Sequence, residues 1–359
     1  MTTEIEKDWA ERVRAAVAAK TPLCLRGGGS KDFYGRAPAG ELFDLRANSG
    51  VLAHEPTELV VTVRGGTPLA ELEAVLAEKG QYLAFEPPHF GAGATVAGCV
   101  AAGLSGPRRA SMGAVRDFVL GVKLLDGRGE VVKFGGQVMK NVAGYDIARL
   151  VTGSLGTLGI VLEVSLKVLP RPVAEATLRF ELDEASALRR LNEWGGQPLP
   201  VSASLWHAGT LHLRLSGAEA AVRAATQRLG GERVEDAQAA AFWAAVREQS
   251  GAPFALDEAA DEVLWRVSVP STASALALPG RQTVEWGGAL RWLASTEAAD
   301  SIRARAAALG GHATAFRGGD RTANVFQPLP APMATLHRRL KQAFDPAGIF
   351  NPGRLYPEF

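Results

Sequence analysis

The sequence predicts an α+β protein of two domains, on three observations. The chain of 359 residues is long enough for two cores of ordinary size, and its 47% hydrophobic and 21% charged content is that of a globular protein. Up to about residue 170, short apolar strands alternate with a few amphipathic helices. Beyond Pro170 and Pro172 a β-α-β-β-α order begins and later recurs, as expected of a duplicated split β-α-β unit, an antiparallel sheet with helices on one face.

Ile5, Trp9, Val13 and Val17 recur about every four residues, which predicts an opening amphipathic helix that ends near Lys20 before Pro22. Leu23, Cys24 and Leu25 form a short buried strand that empties into Arg26, Gly27, Gly28, Gly29 and Ser30. Strands at 42–45 and 59–63 precede Thr67 and Pro68, the start signals of a helix that runs to Lys79 and is closed by Gly80. Strands follow at 118–125, 131–134 and 160–168, with turns at Asp126-Gly127 and Gly135-Gly136. Pro170 and Pro172 mark the linker, because proline removes ladder donors and stiffens the chain. The second domain is expected as strand 176–182, helix 184–194, hairpin 202–206 and 211–215, and helix 218–229. Its looser repeat is strands 264–269 and 283–286, a return strand 289–293 across Gly287 and Gly288, and helix 297–309. Helix 237–248 and the segment from Pro328 to Pro332 are connectors, and a last helix at 333–344 leads to a turn-rich tail. The expected division is therefore 1–172, 173–332 and 333–359.

Lys+Arg 39 against Asp+Glu 38 leaves a formal net charge of +1, so the global field points to neither nucleic acid nor an anionic membrane. Cys24 and Cys99 are the only cysteines, too few for a disulfide framework, a four-thiolate zinc site or an iron-sulfur cluster held by this chain alone. The acidic N-terminus lacks the apolar core of a signal peptide, and no run of about 18 apolar residues spans a bilayer. A soluble, cytoplasmic chain without a membrane span is the expectation.

The glycines cluster. Arg26 to Ser30 offers backbone amides with no side chains in the way, which is what a pyrophosphate needs. The loop matches neither the G-x-G-x-x-G fingerprint nor the P-loop. A second region, 86–113, is almost without bulk from Thr95 through Ala97, Gly98, Ala101, Ala102, Gly103, Ser105 and Gly106. A third, Gly153 to Ile160, repeats the feature ahead of a strand. Small residues in such runs let a flat ligand or another backbone approach closely.

These three loops in this order, with L-V-V-T-V-R-G-G-T-P-L-A-E-L-E between the first and second, resemble the FAD-binding domain of the vanillyl-alcohol oxidase superfamily, the PCMH-type fold. The strings E-P-P-H-F from Glu86, G-P-R-R from Gly106, V-R-D-F-V-L-G from Val115, the Phe134–Asp146 string, W-G-G-A-L-R-W-L from Trp286 and D-P-A-G-I-F-N-P-G-R from Asp345 are similar to the E subunits of bacterial glycolate oxidases. The resemblance implies a two-lobed FAD domain completed by the C-terminal tail, with an inserted antiparallel-sheet cap of ferredoxin-like character. It implies non-covalent FAD, since Ser30 stands where covalent relatives carry histidine. It places the pyrophosphate on Arg26, Gly27, Gly28, Gly29, Ser30 and Lys31, and Pro87 and Pro88 near the flavin or the pyrophosphate. It assigns Thr95, Ala97, Gly98, Cys99 and Gly103 to the second loop, Gly159 and Ile160 to the adenine side, and Asn351 and Arg354 to the flavin end. Ala97 and Cys99 depart from the usual glycine and the frequent asparagine of that loop.

The implied activity is oxidation of glycolate to glyoxylate within a complex, with electrons passed to a paralogous catalytic flavoprotein and an iron-sulfur subunit, the assembly lying peripheral to the inner membrane. A self-sufficient FAD-dependent 2-hydroxy acid dehydrogenase and a non-catalytic assembly subunit with vestigial loops stand as alternatives. No metal is expected. His312 opens a worn form of a metal-binding segment of catalytic relatives, without its second histidine, and His337 lies on another element. His54, His207 and His212 read as packing or surface residues, His89 as one of these or a residue facing the flavin, and Asp32 and Asp117 as loop-capping or arginine-paired carboxylates. Trp286 and Trp292 sit on a hairpin, where they are either core or an exposed docking face.

Overall fold

The computed structural model describes residues 3–136 and 145–359; positions 137–144 of the Phe134–Asp146 string lie outside the described residues. Helix α1 (Glu4–Ala19) starts at a capping box in which the Thr3 hydroxyl accepts from the Glu6 amide and the Glu6 carboxylate from the Thr3 amide. Its buried face, Trp9, Ala10, Val13 and Ala16, packs on Phe43, Leu125 and Ile160. Strand β1 (Leu23–Arg26) runs parallel to β2 (Glu41–Asp44), and the glycine loop is the crossover between them. The hairpin β3 (Val51–Glu55) and β4 (Val60–Arg64) is followed by α2 (Leu69–Ala77), the two-residue β5 (Gln81–Tyr82), α3 (Val96–Ala102), α4 (Arg109–Met112) and α5 (Val115–Phe118). Strands β6 (Val119–Leu125) and β7 (Val131–Gly135), helix α6 (Ile147–Val151), β8 (Ile160–Lys167) and β9 (Leu169–Pro170) complete the first domain. Its antiparallel sheet has the order β3-β4-β8-β6-β7. Strand β3, absent from the sequence-based expectation, has only half-buried or exposed residues and so carries weak apolar alternation.

The cap opens with β10 (Ala174–Glu181), α7 (Glu184–Gly195), β11 (Val201–His207), β12 (Thr210–Gly217), α8 (Glu219–Leu229) and β13 (Glu232–Val234). After α9 (Asp236–Arg247) come β14 (Val263–Ser268), β15 (Arg281–Glu285), β16 (Leu290–Ser295), α10 (Ala299–Ala308) and β17 (His312–Arg317). All eight strands form one antiparallel sheet of order β13-β10-β12-β11-β15-β16-β14-β17. In unit order this is fourth-first-third-second followed by second-third-first-fourth, two copies of one unit joined through their second strands at Leu205↔Glu285. The duplication expected from sequence is thus present as a continuous sheet. The second copy has no helix between β14 and β15; residues 269–280 cover that face instead, with Leu276 fully buried.

Strand alternation gives the cap sheet two faces. Helices α7, α8 and α10 cover one. The other carries Leu205, Leu264, Leu290, Trp292 and Phe316 into a shared core with Tyr34, Ala102, Leu104 and Leu155 of the first domain. Trp286 and Trp292 belong to this core at 7% and 2% exposure, so the docking-face reading of the hairpin is overturned. Trp286 is tied down by its Nε1, which donates to the Gly106 carbonyl at 3.1 Å. Helix α11 (Ala331–Phe344) then returns the chain to the first domain. There Lys341 donates to Asp345, Thr157 and Phe350, and a bridge between Leu23 and Phe350 extends the β1 edge.

Candidate functional site

The loop after β1 is built to expose its backbone. None of the amides of Gly27, Gly28, Gly29, Ser30 and Lys31 donates to another described residue, whereas those of Asp32 and Tyr34 close turns onto Gly29 and Lys31. Glycine is required here sterically: a Cβ on Gly27 would meet Thr95 Oγ1 at 2.3 Å and one on Gly28 would meet the Gly93 carbonyl oxygen at 1.4 Å. Gly29 has φ +74°. The first and second glycine loops therefore touch through bare backbone. Thr95 caps α3, its hydroxyl accepting from the Gly98 amide at 3.2 Å.

Side chains add charge around these amides. Lys31 Nζ donates to Ser30 Oγ at 3.3 Å and to the His89 carbonyl at 3.1 Å. Burial pulls its pKa below the usual lysine value, opposed by Cys99 and Glu248. Arg26 and Asp32 pair at 2.7 Å. From the tail, Arg354 donates to the carbonyls of Asp32 and Arg36, and Asn351 accepts from the Leu25 amide at 2.7 Å while donating to the Leu155 carbonyl. Burial lowers the Arg354 pKa, with Asp32 opposing.

Arg26, Gly27, Gly28, Gly29, Ser30, Lys31, Thr95, Gly98, Asn351 and Arg354 line one cleft of about 90 Å³. That is room for a diphosphate, with the remainder of a dinucleotide extending beyond its ends. Ser30 also lines a second cavity, of about 670 Å³, with Phe33, Phe90, Phe254 and Arg317. Free amides, flanking cations and glycines that admit no Cβ fit the pyrophosphate of FAD.

The other expected residues lie elsewhere. Pro87 and Pro88 are buried, and their segment reaches the loop through the His89 carbonyl instead. Ala97 packs on Gly65. Cys99 is in the core, its thiol pushed up to about 12 by burial. Gly103 is the left-handed cap of α3 against Gly153. Gly159 immediately precedes β8 and Ile160 starts it, fully buried beside α1. Cys24, Asp32, Pro38 and Leu155 line the cleft and were missed. The available signals were adjacency to the loop for Cys24 and Asp32 and the third glycine cluster for Leu155.

His89 Nε2 lies 3.1 Å from Glu73, and Asp117 caps the Ala114 amide. The stretch from His312 is edge strand β17 with His312 exposed at its start, and His337 packs beside Tyr356 and Phe359. Among the described residues, no three His, Cys, Asp or Glu side chains converge at metal-ligand spacing.

The fold and this cradle define an FAD-linked oxidase of the PCMH type. Residues 2–135 match the FAD binding domain and residues 289–355 the C-terminal domain of FAD linked oxidases. The glycolate oxidase subunit GlcE of Escherichia coli is 49% identical over 348 residues, covering 97% of this chain and 96% of that protein. The chain belongs to the family of this subunit. The glycolate oxidase subunit GlcD of Bacillus subtilis is 30% identical over 161 residues, covering 44% of this chain and 34% of its own. In fold, 4-ethylphenol oxidase from Gulosibacter chungangensis is similar with a TM-score of 0.70 at 14% identity, covering 98% of this chain and 88% of that one.

Proposed function

We propose that this chain is the FAD-binding subunit of a glycolate oxidase complex, holding its cofactor without a covalent bond. The observation that carries the reading is a row of unused amides from Gly27 to Lys31 in a chain nearly half identical to GlcE along almost its whole length. The loop amides and Lys31 bind the pyrophosphate, Arg354 holds the loop through the Asp32 carbonyl, and Asn351 fixes β1 against Leu155. When bound, FAD supplies an acceptor for a pair of electrons that it passes on. Its ring end would extend toward the Ser30 cavity, where Phe33, Phe90 and Arg317 would line it.

Dependence on a complex rests on what the nearby carboxylates are doing. Oxidising a hydroxy acid needs a base for the hydroxyl proton. Asp32 is paired with Arg26, Glu248 accepts from the amides of His89 and Phe90, and Glu258, the other carboxylate on the Ser30 cavity, is exposed to solvent. The reading therefore gives the chemical step to a paralogous flavoprotein subunit and onward transfer to an iron-sulfur subunit, for whose cluster Cys24 and Cys99 are too few. No helix among the described residues is long and apolar enough to cross a membrane, in keeping with a cytoplasmic subunit attached to the inner membrane only through its partners.

Two measurements test this. Acid precipitation of the purified chain releases all its flavin; colour retained on the washed polypeptide refutes a non-covalent site. The isolated chain reduces no dye with glycolate, and adding the partner subunits restores turnover; robust turnover by the chain alone refutes the subunit reading.

A further inference from the structure

A cavity of about 640 Å³ lies where the linker crosses from the first domain to the cap, and none of its walls comes from the first or third glycine loop. The E-P-P-H-F and G-P-R-R strings meet in it, through Glu86 and Arg108. Arg108 is 3% exposed; its Nε donates to Glu86 Oε1 at 2.9 Å and its Nη2 to Glu175, while Nη1 is buried without an acceptor among the described residues. Arg214, 4% exposed, donates from Nε to Ser202 Oγ at 3.1 Å and from Nη2 to Glu86 Oε2 at 2.9 Å. Its Nη1 has no bond to a described residue. Glu86 Oε2 already accepts from Arg108 N as well. Arg171, on the linker, lines the same cavity and pairs with no acid among the described residues. Arg108 Nη1 is thus a costly buried donor, and Arg214 Nη1 and Arg171 are further donors on the cavity that an anion entering it would engage.

The facing wall has different chemistry. Helix α9 presents Ala239, Ala240 and Ala244, and Trp243 lies with its ring 4.9 Å from the Arg214 guanidinium carbon. The volume falls within the range of about 300–1,000 Å³ typical of small-molecule sites. The walls hold four arginines, at 108, 171, 214 and 247, and four acids, Glu73, Glu86, Glu175 and Asp236. A multiply charged phosphate would meet those acids, whereas one carboxylate matches the surplus donors. We propose that this interdomain cavity binds a small organic acid, its carboxylate on Arg108, Arg214 and Arg171 and an apolar or aromatic body against Trp243 and the alanine wall.

The test is calorimetry and thermal unfolding of the full chain with benzoate, hexanoate, acetate and inorganic phosphate. Benzoate and hexanoate should bind one per chain and raise Tm, with acetate and phosphate at least about tenfold weaker. Arg171→Ala, at an exposed position, should weaken benzoate about tenfold, and Arg108→Lys should abolish binding, both with flavin content unchanged. If Arg108→Lys fails to fold, Trp243→Phe takes its place and should weaken benzoate relative to acetate. No binding of benzoate or hexanoate, phosphate binding as tightly as either, or an unaltered affinity in Arg171→Ala would overturn the proposal.

Discussion

The loop from Arg26 to Lys31 and the cluster around Arg108 both hold hydrogen-bond donors that no described residue accepts from, but they are made from different parts of the chain. The loop's donors are consecutive amides, kept free because Gly27 and Gly28 leave no Cβ between the first and second loops. The cluster's donors are guanidiniums from the first domain, the linker and the cap, fixed by Glu86 at 2.9 Å from both Arg108 and Arg214. A backbone site tolerates changes in neighbouring side chains and fails when a Cβ is added. A side-chain site tolerates backbone changes and fails when one member of its ion-pair network is removed.

The sharpest way to break the comparison is Gly28→Asp. Its side chain would collide with the Gly93 carbonyl and bring negative charge beside the pyrophosphate amides, so a folded variant should carry no flavin. Flavin absorbance at wild-type stoichiometry would remove this loop from the site. Next in size is Glu86→Ala, which leaves Arg108 and Arg214 buried without their shared carboxylate. It should cost about 3–5 kcal/mol in denaturant unfolding while the folded fraction keeps its flavin. A loss below about 1 kcal/mol would mean that the network contributes little to docking of the cap.

A smaller effect tests whether the cap face answers to pH. Glu285 is 3% exposed, and burial raises its carboxyl to about 7, against the Trp292 Nε1–H at 2.6 Å and the charge of Arg266. The native state therefore binds this proton more tightly than the unfolded chain. Stability is fully present below the ordinary carboxyl pKa and is lost as pH rises toward about 7. Glu285→Gln keeps an acceptor for Trp292 and removes the titration. Its stability relative to wild type should increase between pH 5 and 8 by about 1–3 kcal/mol. A parallel pair of pH profiles would show that Glu285 stays ionised throughout. The smallest effect belongs to Lys31→Ala, which removes one charged donor but no amide and should weaken FAD binding by about tenfold, read by flavin fluorescence. A hundredfold or greater loss would shift the weight of the site from backbone to side chain.

The sequence by itself determined what is local. Apolar periodicity marked α1, α7 and β8, whose buried residues recur at helical or strand spacing, and the repeated strand-helix order foretold the duplicated cap. The first glycine loop was legible because three successive residues without side chains have few uses other than close backbone approach. The short β13 was not legible, since its residues are largely exposed and leave no apolar pattern. Tertiary structure alone decided which small residues face the cleft. Gly98 and Ala97 are neighbours on α3, yet one lines the cavity and the other packs on Gly65, because a helix turns successive side chains about 100° apart. It alone brought Glu86, Arg108, Glu175 and Arg214 together, since ion pairs between distant positions depend on how the cap docks and leave no periodic trace in the chain.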